Sequence, residues 1–571
     1  MKKRFTIYVY IELISSILFS LLSLSFNGDI SLTAFPVAAI FTAVTVYFTF
    51  FKFLKNENGK NWLVSLKLIQ YLPFILLLSF VLRRAGDYGT IFTYDLISVI
   101  LWCITFIFSL VLSSKMSPKR IEALTQKWKT PAVCKKHPKG LKGLLFEIVD
   151  WADALVQAVF MVLLIQIFIL QLYVIPSESM VPTFLIKDRV AVSKINCGPK
   201  FPLTDIGLPC FTKYNRGDIV VFRNPHYSMD RKSEVKSVTS QLVYMLTFMS
   251  VNLNKDENGK IKADPLVKRI TGIEGEQLVM QDGVLYARTK DDLEFKPVDK
   301  DAEFACWNLS EINPELKSKI EFMPFSNADY KVMLELEARR RQFDLNNAKI
   351  QVEEIVSGLE NLLKDKQFNG NFAIPALNQH ALYDNCSNIA RDIYTKEGGL
   401  DWFRKFMTSW IDSADEKRDI YSEANYKMNV MEKIYFGNLV LKFNQFLYDN
   451  VSSTEWMNDE SVVENKNNYF VTVQYIENLL DERNMPVFPA NDSYGNPQFI
   501  PKDCYFMMGD NRFNSLDMRH KYTKSSVKLA ENDSMSLEYM SMMEPQYVHK
   551  KLILGKPMFR FWPANRFGSF N

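Results

Sequence analysis

Five long apolar runs dominate the first third of this 571-residue chain and constrain what it can fold into. Each run is close to the ~20 apolar residues needed to cross a hydrocarbon layer of ~30 Å. A buried core helix is the alternative for a single run, but five such runs in one region favour membrane spans. No small-residue cleavage site follows the first run, which argues against a cleavable signal peptide. The predicted spans are Ile7–Ser25, Thr33–Phe53, Trp62–Leu82, Thr90–Leu112 and Ala154–Ile175.

Basic residues between the runs predict how the spans are oriented. Such residues near span ends are retained on the cytoplasmic side of a membrane. They lie before the first run, between the second and third, and between the fourth and fifth. They are Lys2, Lys3, Arg4, Lys52, Lys55, Lys60 and the nine lysines and arginines from Lys115 to Lys142. Arg83 and Arg84 fall on the opposite side and are exceptions. With five spans, everything after Ile175 is expected outside the cytoplasm.

The overall charge argues against one class of function. The chain has 68 Lys and Arg against 64 Asp and Glu, for a net charge of +4. A nucleic-acid-binding domain would carry a clear basic excess, so no nucleic acid partner is expected. No His-Glu-x-x-His zinc helix occurs, and the cysteines lack the short paired spacings of a zinc site. We therefore expect neither a metal nor a cofactor.

Two of the seven cysteines enclose a short loop outside the predicted spans. Cys103 lies in a predicted span and Cys134 in the basic loop, which leaves five outside. Cys197 and Cys210 flank a stretch that contains Gly and Pro. A disulfide in an oxidising compartment and two unpaired thiols are equally compatible with this spacing.

The chain after the last run alternates between strand and helix patterns. Short Val- and Ile-rich stretches bounded by Gly, Pro and Asn are typical of strands, and apolar residues at helical spacing without Pro are typical of helices. The predicted strands are Arg189–Ile195, Asp218–Arg223, Val267–Ile273, Asn468–Gln474, Tyr505–Gly509 and His549–Phe561, and the helices lie in Asn327–Lys366 and Asp415–Val451. The sequence therefore predicts a mainly β domain with a large helical insertion.

These patterns divide the chain into five parts. We predict a membrane region with four spans at 1–147, a fifth span at 148–175, the first part of the β domain at 176–300, a largely helical insertion at 301–482 and the second part of the β domain at 483–571. The segment Gln241–Leu253 is apolar but too short to span a membrane. We expect it to be a core element, with a surface that enters the outer leaflet as the alternative.

Two serines lie directly after the last apolar run. Ser177 and Ser179 stand between Pro176 and Pro182, and these prolines restrict the backbone around them. A serine hydroxyl is a poor nucleophile until a neighbouring base removes its proton. Because a Ser/Pro segment beside a span is equally compatible with a linker, a functional interpretation requires a partner base.

Lys268 is the candidate base. If Val267–Ile273 is a strand, alternation places Lys268 on one face with Leu266 and Ile270. Arg269 then points to the opposite face. Burial among apolar residues lowers the pKa of a lysine from ~10.4 and makes the amine a usable base. A lysine that extends into solvent is the commoner outcome for a single strand, so the sequence context has to decide.

Four ordered blocks of sequence resemble the bacterial type I signal peptidases. The blocks are Ile175–Thr183 (IPSESMVPT), Arg216–Pro225 (RGDIVVFRNP), Val267–Glu276 (VKRITGIEGE) and Gly509–Arg519 (GDNRFNSLDMR). A single block would be weak evidence, but four in this order behind a membrane span make coincidence improbable. The resemblance covers about 172–281 and 502–567, and it leaves the other four spans and the helical insertion unexplained.

The resemblance implies the site of a Ser-Lys protease. Ser179 would be the acylating nucleophile, and Lys268 would remove its proton and later activate water. The hydroxyl of Ser177 would join the backbone N–H of Ser179 in an oxyanion hole, and Ser515 would orient the lysine. The remaining implied residues are Asp510, Asn511, Asp517, Arg519 and Arg269 as support and Ile175, Leu266 and Val267 as a pocket for small side chains.

The fourth block departs from the family's pattern at two positions. Phe513 stands where the family usually has Asp, and Met518 stands where Ser or a small residue is usual. Neither position belongs to the implied pair of Ser179 and Lys268, so the departures concern the support of the site.

The resemblance implies an endopeptidase in the cytoplasmic (inner) membrane of a bacterium, with its catalytic domain outside the cytoplasm. Its partners would be signal-peptide-bearing preproteins, the phospholipid bilayer and the secretion machinery, and cleavage would follow small residues. A Ser-Lys protease that processes membrane proteins more generally is a second hypothesis, which substrate shape distinguishes. The third is a non-catalytic scaffold, which would be expected to lose the serine or the lysine, whereas both are present.

Overall fold

Among the residues that the structure describes, five N-terminal helices are long and apolar enough to cross a membrane, as predicted. The computed structural model describes residues 2–24, 31–55, 61–86, 91–116, 140–364 and 389–570, apart from short gaps at 228–229, 248–249, 256–258, 260–261, 390–391, 394–395 and 450. The five helices are α1 (Lys2–Leu22), α2 (Ser31–Val46, followed by a π-helical segment at Tyr47–Lys55), α3 (Trp62–Gly86), α4 (Phe92–Lys115) and α5 (Leu141–Phe168). The basic residues from Lys119 to Lys139, with Cys134, lie outside the described residues.

The first four helices pack into a bundle in which hydroxyl groups bond to each other. Ser15 and Thr105 join α1 to α4 at 2.8 Å, and Ser20 and Thr42 join α1 to α2 at 2.9 Å. Small hydroxyl residues allow close helix packing and form hydrogen bonds between helices. Helix α5 stands at the side of the bundle, with most of its apolar surface exposed.

The fifth helix ends earlier than the apolar run that encodes it. Helix α5 ends at Phe168, and Leu170–Val174 forms strand β1, which pairs antiparallel with Arg189–Ser193. The C-terminal end of the predicted span Ala154–Ile175, and of the predicted part 148–175, was therefore wrong. The apolar run continues from the helix into a strand of the sheet, and hydrophobicity alone does not distinguish the two. The β domain begins directly where the helix ends.

Antiparallel sheets form the β domain. Strands β1, β2 (Arg189–Ser193), β3 (Ile219–Phe222), β4 (Leu266–Gly272), β5 (Glu276–Gln281), β6 (Val284–Thr289), β7 (Lys296–Pro297), β8 (Met485–Phe488), β9 (Cys504–Met508), β10 (His520–Lys528), β11 (Glu538–Met543), β12 (Val548–His549), β13 (Ile553–Trp562) and β14 (Gly568–Ser569) are described. The largest sheet has the order β1-β2-β13-β3-β4-β9-β12, with β14 beside β13. A second sheet has the order β7-β6-β5-β8, and β10 pairs with β11.

Helices occupy most of the described chain between β7 and β8. Beyond α6 (Arg231–Leu246), the helices are α7 (Asp299–Ala302), α8 (Pro314–Lys317), α9 (Asn327–Gln342), α10 (Leu345–Lys364), α11 (Gly399–Thr408), α12 (Ile420–Tyr448), α13 (Ser453–Asn458), α14 (Glu460–Asn478) and α15 (Leu480–Arg483). Short 3-10 turns lie at Ile195–Cys197, Leu309–Glu311, Ile411–Ser413, Lys550–Leu552 and Ala564–Arg566. Within the described residues, α9 and α10 lie in the predicted stretch Asn327–Lys366, and α12 lies in the predicted stretch Asp415–Val451.

One predicted strand is a helix. Asn468–Gln474 lies inside α14, which Asp459 caps by accepting from two backbone N–H groups. Thr472, Tyr475 and Ile476 are buried along this helix, at the three- and four-residue spacing of a helical face. The strand prediction used a window too short to show this period, so the β-branched and aromatic residues were misassigned.

A loop of the β domain packs into the bundle of membrane helices. The ring of Phe201 contacts the rings of Phe80, Trp102 and Phe168, with centroid separations of 6.2, 5.3 and 4.8 Å. Ile206 is buried in the same cluster. Apolar packing therefore joins the β domain to helices α3, α4 and α5.

Polar contacts strengthen this junction. Arg84 at the end of α3 donates from Nε and Nη2 to the carbonyl oxygen of Leu203 at 3.2 and 3.1 Å. Arg231 of α6 donates to the same oxygen at 2.9 Å. Within the bundle, Arg83 of α3 donates to Oδ1 of Asp95 of α4 at 2.6 Å. The two arginines that were exceptions to the orientation rule thus have structural partners.

In its described residues, the segment Gln241–Leu253 is not a core element. Its first part belongs to α6, which contacts α3 and α5. Leu242 and Tyr244 are half-buried, and Val251 and Leu253 are exposed. The predicted burial in the core was wrong, because α6 lies along the junction with the membrane helices and keeps part of its apolar surface open. This position favours the alternative of a surface at the membrane boundary.

We expect Phe201→Ala to lower the free energy of unfolding by about 3 kcal/mol, because it removes a large buried ring from the junction. Phe211→Ala is the matched control, since Phe211 follows in the same loop and is 73% exposed. Thermal unfolding in lipid nanodiscs, followed by tryptophan fluorescence, measures both variants. Equal transition temperatures for the two variants would contradict the packing role of Phe201.

Candidate active site

Strand β4 carries the candidate base into the protein interior. Leu266 and Ile270 pack in one core cluster, and Val267 packs against another. The side chain of Lys268 is only 2% exposed. The predicted alternation of faces along this strand is confirmed, and it surrounds the amine of Lys268 with protein.

The segment between β1 and β2 brings a serine to that amine. Glu178 and Met180 are buried, whereas Ser177 is exposed and Ser179 is half-buried. Nζ of Lys268 donates to Oγ of Ser179 at 2.6 Å. Oγ of Ser177 donates to Oγ of Ser179 at 3.4 Å. The structure therefore brings three of the predicted site residues together.

Burial controls the proton affinity of the lysine. Loss of water around the ammonium lowers the pKa of Lys268 to about 8, and this effect outweighs the negative charges of Asp517 and Asp510. The charge of Arg519 acts in the same direction as burial. Within the described part of the chain, no carboxylate lies within 4.0 Å of the amine. A deprotonated amine at hydrogen-bonding distance from a serine hydroxyl can take its proton.

A second lysine and serine, in the helical part, provide a contrast. Nζ of Lys433 donates to Oγ of Ser409 at 3.1 Å, but it also donates to the carboxylate of Asp533. Burial lowers the pKa of Lys433, while the hydrogen bond and charge of Asp533 raise it. An ion pair favours the protonated amine, so the presence of a serine alone does not make a base.

Asp517 organises the loop that follows β9. Its Oδ2 accepts from the backbone N–H of Gly509 at 2.9 Å and from Oγ of Ser515 at 2.8 Å, and its Oδ1 accepts from Nε of Arg519 at 2.9 Å. Burial opposes ionisation, but Arg519 outweighs it and holds the pKa of Asp517 well below its ordinary value. The structure thus unites three predicted support residues in one network.

Ser515 contacts Asp517 rather than the lysine. Between the described residues Ser515 and Lys268 the structure shows no hydrogen bond, so an orienting effect of this serine on the amine would act through Asp517. The loop after β9 approaches the serine segment closely, and Gly509 makes this close approach possible. A β-carbon at Gly509 would lie 2.2 Å from Oγ of Ser515 and 2.3 Å from the carbonyl oxygen of Ser179, so only glycine fits.

A second network holds the backbone of the serine segment. Arg269 donates to both carboxylate oxygens of Asp510 at 2.7 Å, and Thr183 donates to the same carboxylate at 2.6 Å. The backbone N–H of Asn511 donates to the carbonyl oxygen of Ser179 at 3.2 Å. Paired, planar contacts of an arginine with a carboxylate fix geometry well. These residues therefore position Ser179 without touching its hydroxyl.

The three predicted pocket residues are divided between two faces of the sheet. Ile175 is buried and packs in one cluster with the half-buried Val267. Leu266 faces the opposite side, in the core of the β domain. The structure brings Ile175 and Val267 together and separates them from Leu266. Their contact with a substrate stays a prediction.

Sequence reasoning missed Glu178, the residue between the two serines. Its buried carboxylate accepts from the backbone N–H of Glu321 at 2.6 Å and from that of Phe322 at 3.3 Å. A buried carboxylate requires such donors to offset its loss of water. No local pattern signals this role, because the partners of Glu178 lie more than a hundred residues away in the chain. Glu178 thus ties the serine segment to the chain that follows β7.

Packing accommodates the two departures in the fourth block. The ring of Phe513 lies 5.0 Å from that of Trp307 and 4.8 Å from that of Phe325 between centroids. Both partners follow β7 in the chain. Met518 is fully buried in the core of the β domain. The surroundings of position 513 are therefore aromatic and suit Phe513, whereas the aspartate usual in the family would need polar partners there.

The cysteines of the loop after β2 are unpaired. Cys197 and Cys210 carry free thiols, and Sγ of Cys210 donates to the hydroxyl of Tyr214 at 3.9 Å. In the regions that the structure covers, no three His, Cys, Asp or Glu side chains are arranged to hold a metal ion.

Glu178→Ala removes the acceptor of the Glu321 and Phe322 amides. We expect hydrogen exchange at these two amides to accelerate about tenfold, in proportion to one lost charge-assisted hydrogen bond. Hydrogen-exchange mass spectrometry measures the effect, and Glu315→Ala on the exposed surface of α8 is the matched control. Unchanged exchange at both amides in the Glu178 variant would show that the carboxylate does not hold this segment.

The sequence model of one family, described as signal peptidase, peptidase S26, matches residues 148–313 and 432–562, together about half of the chain. Signal peptidase I of Pseudomonas aeruginosa is 28% identical over 139 residues, which are 24% of this chain and 46% of the relative. Signal peptidase I of Buchnera aphidicola subsp. Schizaphis graminum is 42% identical over 71 residues, 12% of this chain and 23% of the relative. The chain spans less than half the length of these curated relatives, and no solved structure matches it.

Proposed function

The chain belongs to the signal peptidases of peptidase family S26, and we propose that it is a serine endopeptidase that removes N-terminal signal peptides from exported preproteins. The observation that carries this proposal is the 2.6 Å contact between Nζ of Lys268 and Oγ of Ser179. The lysine has a pKa lowered to about 8, so a substantial fraction of the amine is neutral near that pH. A neutral amine beside a hydroxyl is the minimum that a serine nucleophile requires.

Acylation begins when the amine of Lys268 takes the proton of Ser179 and the serine oxygen attacks the carbonyl carbon of the scissile bond. Negative charge develops on the carbonyl oxygen, which accepts from the hydroxyl of Ser177 and the backbone N–H of Ser179. The ammonium then gives its proton to the leaving amine, and the acyl group stays on the serine. In deacylation Lys268 takes a proton from a water molecule whose oxygen attacks the acyl carbon. The ester bond to Ser179 then breaks, and Lys268 returns the proton to the serine oxygen.

The supporting residues act by position and charge. Asp510, Arg269 and Asn511 hold the serine segment through the contacts described above. Asp517 and Arg519 bear opposite charges near the lysine, and their effects on its pKa are opposite in sign. Burial is therefore the main cause of the lowered pKa of Lys268. Ser515 fixes one oxygen of Asp517.

We propose that the β domain lies outside the cytoplasm, at the cytoplasmic membrane of a bacterium. The basic residues around the spans support this orientation. A preprotein held in the bilayer by its own apolar segment presents its cleavage site close to the membrane surface. Ser179 follows closely after α5, which ends at Phe168. Anchoring enzyme and substrate in one membrane raises their effective concentration.

Cleavage after small residues would follow from the surroundings of the serine. Ile175 and Val267 pack in one cluster with Met180, the residue after the serine, and we assign them, together with Leu266, the small side chain before the cleavage site. We further propose that the helical segment 301–482 is an insertion into the catalytic domain. The stretch 314–431, which the family model does not match, supports this division.

Cleavage of a membrane-inserted preprotein by the purified protein in lipid tests the proposed function. We expect wild-type protein to cleave after a small residue, and Ser179→Ala and Lys268→Ala to lose activity by at least a thousandfold. Ser177→Ala should lower kcat by about 10² to 10³, the usual effect of removing an oxyanion donor. A preprotein lacking the small residue before the cleavage site distinguishes signal peptide removal from general membrane proteolysis.

Ser409→Ala is the matched control, because Ser409 also contacts a buried lysine. This variant should cleave at the wild-type rate. Inert wild-type protein, or full activity in the Ser179 or Lys268 variant, would refute the assignment and favour a scaffold or another nucleophile.

A further inference from the structure

A cavity of about 770 Å³ lies where the membrane helices meet the β domain. Its size is in the range of sites for small molecules. Helices α3 and α5 form an apolar wall that includes Leu77, Leu78, Leu163 and Leu164. The β domain and helix α6 form the opposite wall, which carries the charged side chains of the cavity and is called the polar wall. The cavity is therefore amphipathic, with its apolar side on the helices assigned to the membrane.

Basic side chains outnumber acidic ones on the polar wall. The basic residues are Lys194, Lys200, Arg223, Lys550 and Lys551, and the acidic residues are Asp205, Glu234 and Asp503. Each acidic group already has a basic partner: Lys200 for Asp205, Arg231 for Glu234 and Lys550 for Asp503. The wall thus retains positive charge that its own carboxylates do not neutralise.

Two of the lysines carry this excess charge. For Lys194 and Lys551 the described residues offer no carboxylate within 4.0 Å. The charge of Lys551 helps to lower the pKa of Asp205, but the direct ion-pair partner of Asp205 is Lys200. Both lysines line the same cavity. An anion in the cavity would therefore meet two ammonium groups without an ion pair of their own.

The position of Lys194 shows where this positive charge lies relative to the membrane. Its Nζ donates to the carbonyl oxygen of Gln166 at 3.2 Å, in the last turn of α5. Burial lowers the pKa of Lys194 to about 8, and a neighbouring anion would favour its protonated form. A spanning helix ends at the level of the lipid headgroups. The cationic side of the cavity therefore lies at headgroup level, and the apolar wall continues toward the acyl chains.

We propose that the cavity binds one anionic glycerophospholipid, with its phosphate between Lys194 and Lys551 and its upper acyl chains along α3 and α5. Leu78 on the apolar wall is 46% exposed, which leaves a path for the chains to the bilayer. Free phosphate would use the lysines but not the apolar wall. An apolar peptide would use the wall but leave the lysines without a counter-charge.

Native mass spectrometry of the delipidated full-length protein in neutral detergent tests this site. The probes are phosphatidylglycerol, phosphatidylcholine with the same chains, and inorganic phosphate. We expect one phosphatidylglycerol to be retained where phosphatidylcholine is not, and excess inorganic phosphate to leave it bound. Lys194→Gln combined with Lys551→Gln should weaken retention by roughly 25-fold, at about fivefold for each lysine near an anionic headgroup.

Two further variants separate the contributions of charge and shape. Lys213→Gln removes an exposed lysine outside the cavity and should leave retention unchanged. Leu78→Trp fills the apolar wall and should reduce retention while both lysines remain. Equal retention of the two lipids, displacement by inorganic phosphate, or unchanged retention in the double lysine variant would overturn the proposal. All variants leave Ser179 and Lys268 intact, so the result is independent of peptidase activity.

Discussion

The candidate active site depends on one contact, the hydrogen bond from the buried amine of Lys268 to the hydroxyl of Ser179. Burial shifts the pKa of this lysine from 10.5 to about 8, which corresponds to a cost on the order of 3 kcal/mol at neutral pH. The unfolded chain binds more protons than the folded chain between these two values. This cost therefore falls as pH rises from about 8 to 10.5. Other parts of the fold must offset it, and the apolar packing of β4 is the nearest source.

Three distant parts of the chain meet around that contact. The segment after β1 supplies the serine, β4 supplies the lysine, and the loop after β9 supplies Asp510 and Asp517. Each part is held by buried charge pairs or backbone hydrogen bonds rather than by contact with the reacting atoms. Glu178 extends the arrangement to the helical segment through two backbone amides. The packing of Phe201 similarly joins the β domain to the membrane helices.

The sequence predicted most of what depends on local pattern. Apolar run length predicted five spans, and alternation along β4 predicted the burial of Lys268, because both signals lie in consecutive residues. Predictions failed where tertiary contacts decide between alternatives of similar hydrophobicity. Leu170–Val174 is apolar enough for a span but pairs with β2, and Asn468–Gln474 follows the period of a helix. The inward role of Glu178 needed partners more than a hundred residues away, which no local pattern shows.

The pH dependence of kcat/KM for preprotein cleavage tests the central claim most directly, because it reports the protonation state of the free enzyme. With Lys268 as the base, kcat/KM should rise about tenfold per pH unit below a midpoint near 8, and then level off. Burial of Lys268 sets this midpoint, and the charges of Asp517, Arg519 and Asp510 modify it. A midpoint near 6.5, as for an ordinary histidine, or a rate independent of pH from 6 to 9, would contradict the account.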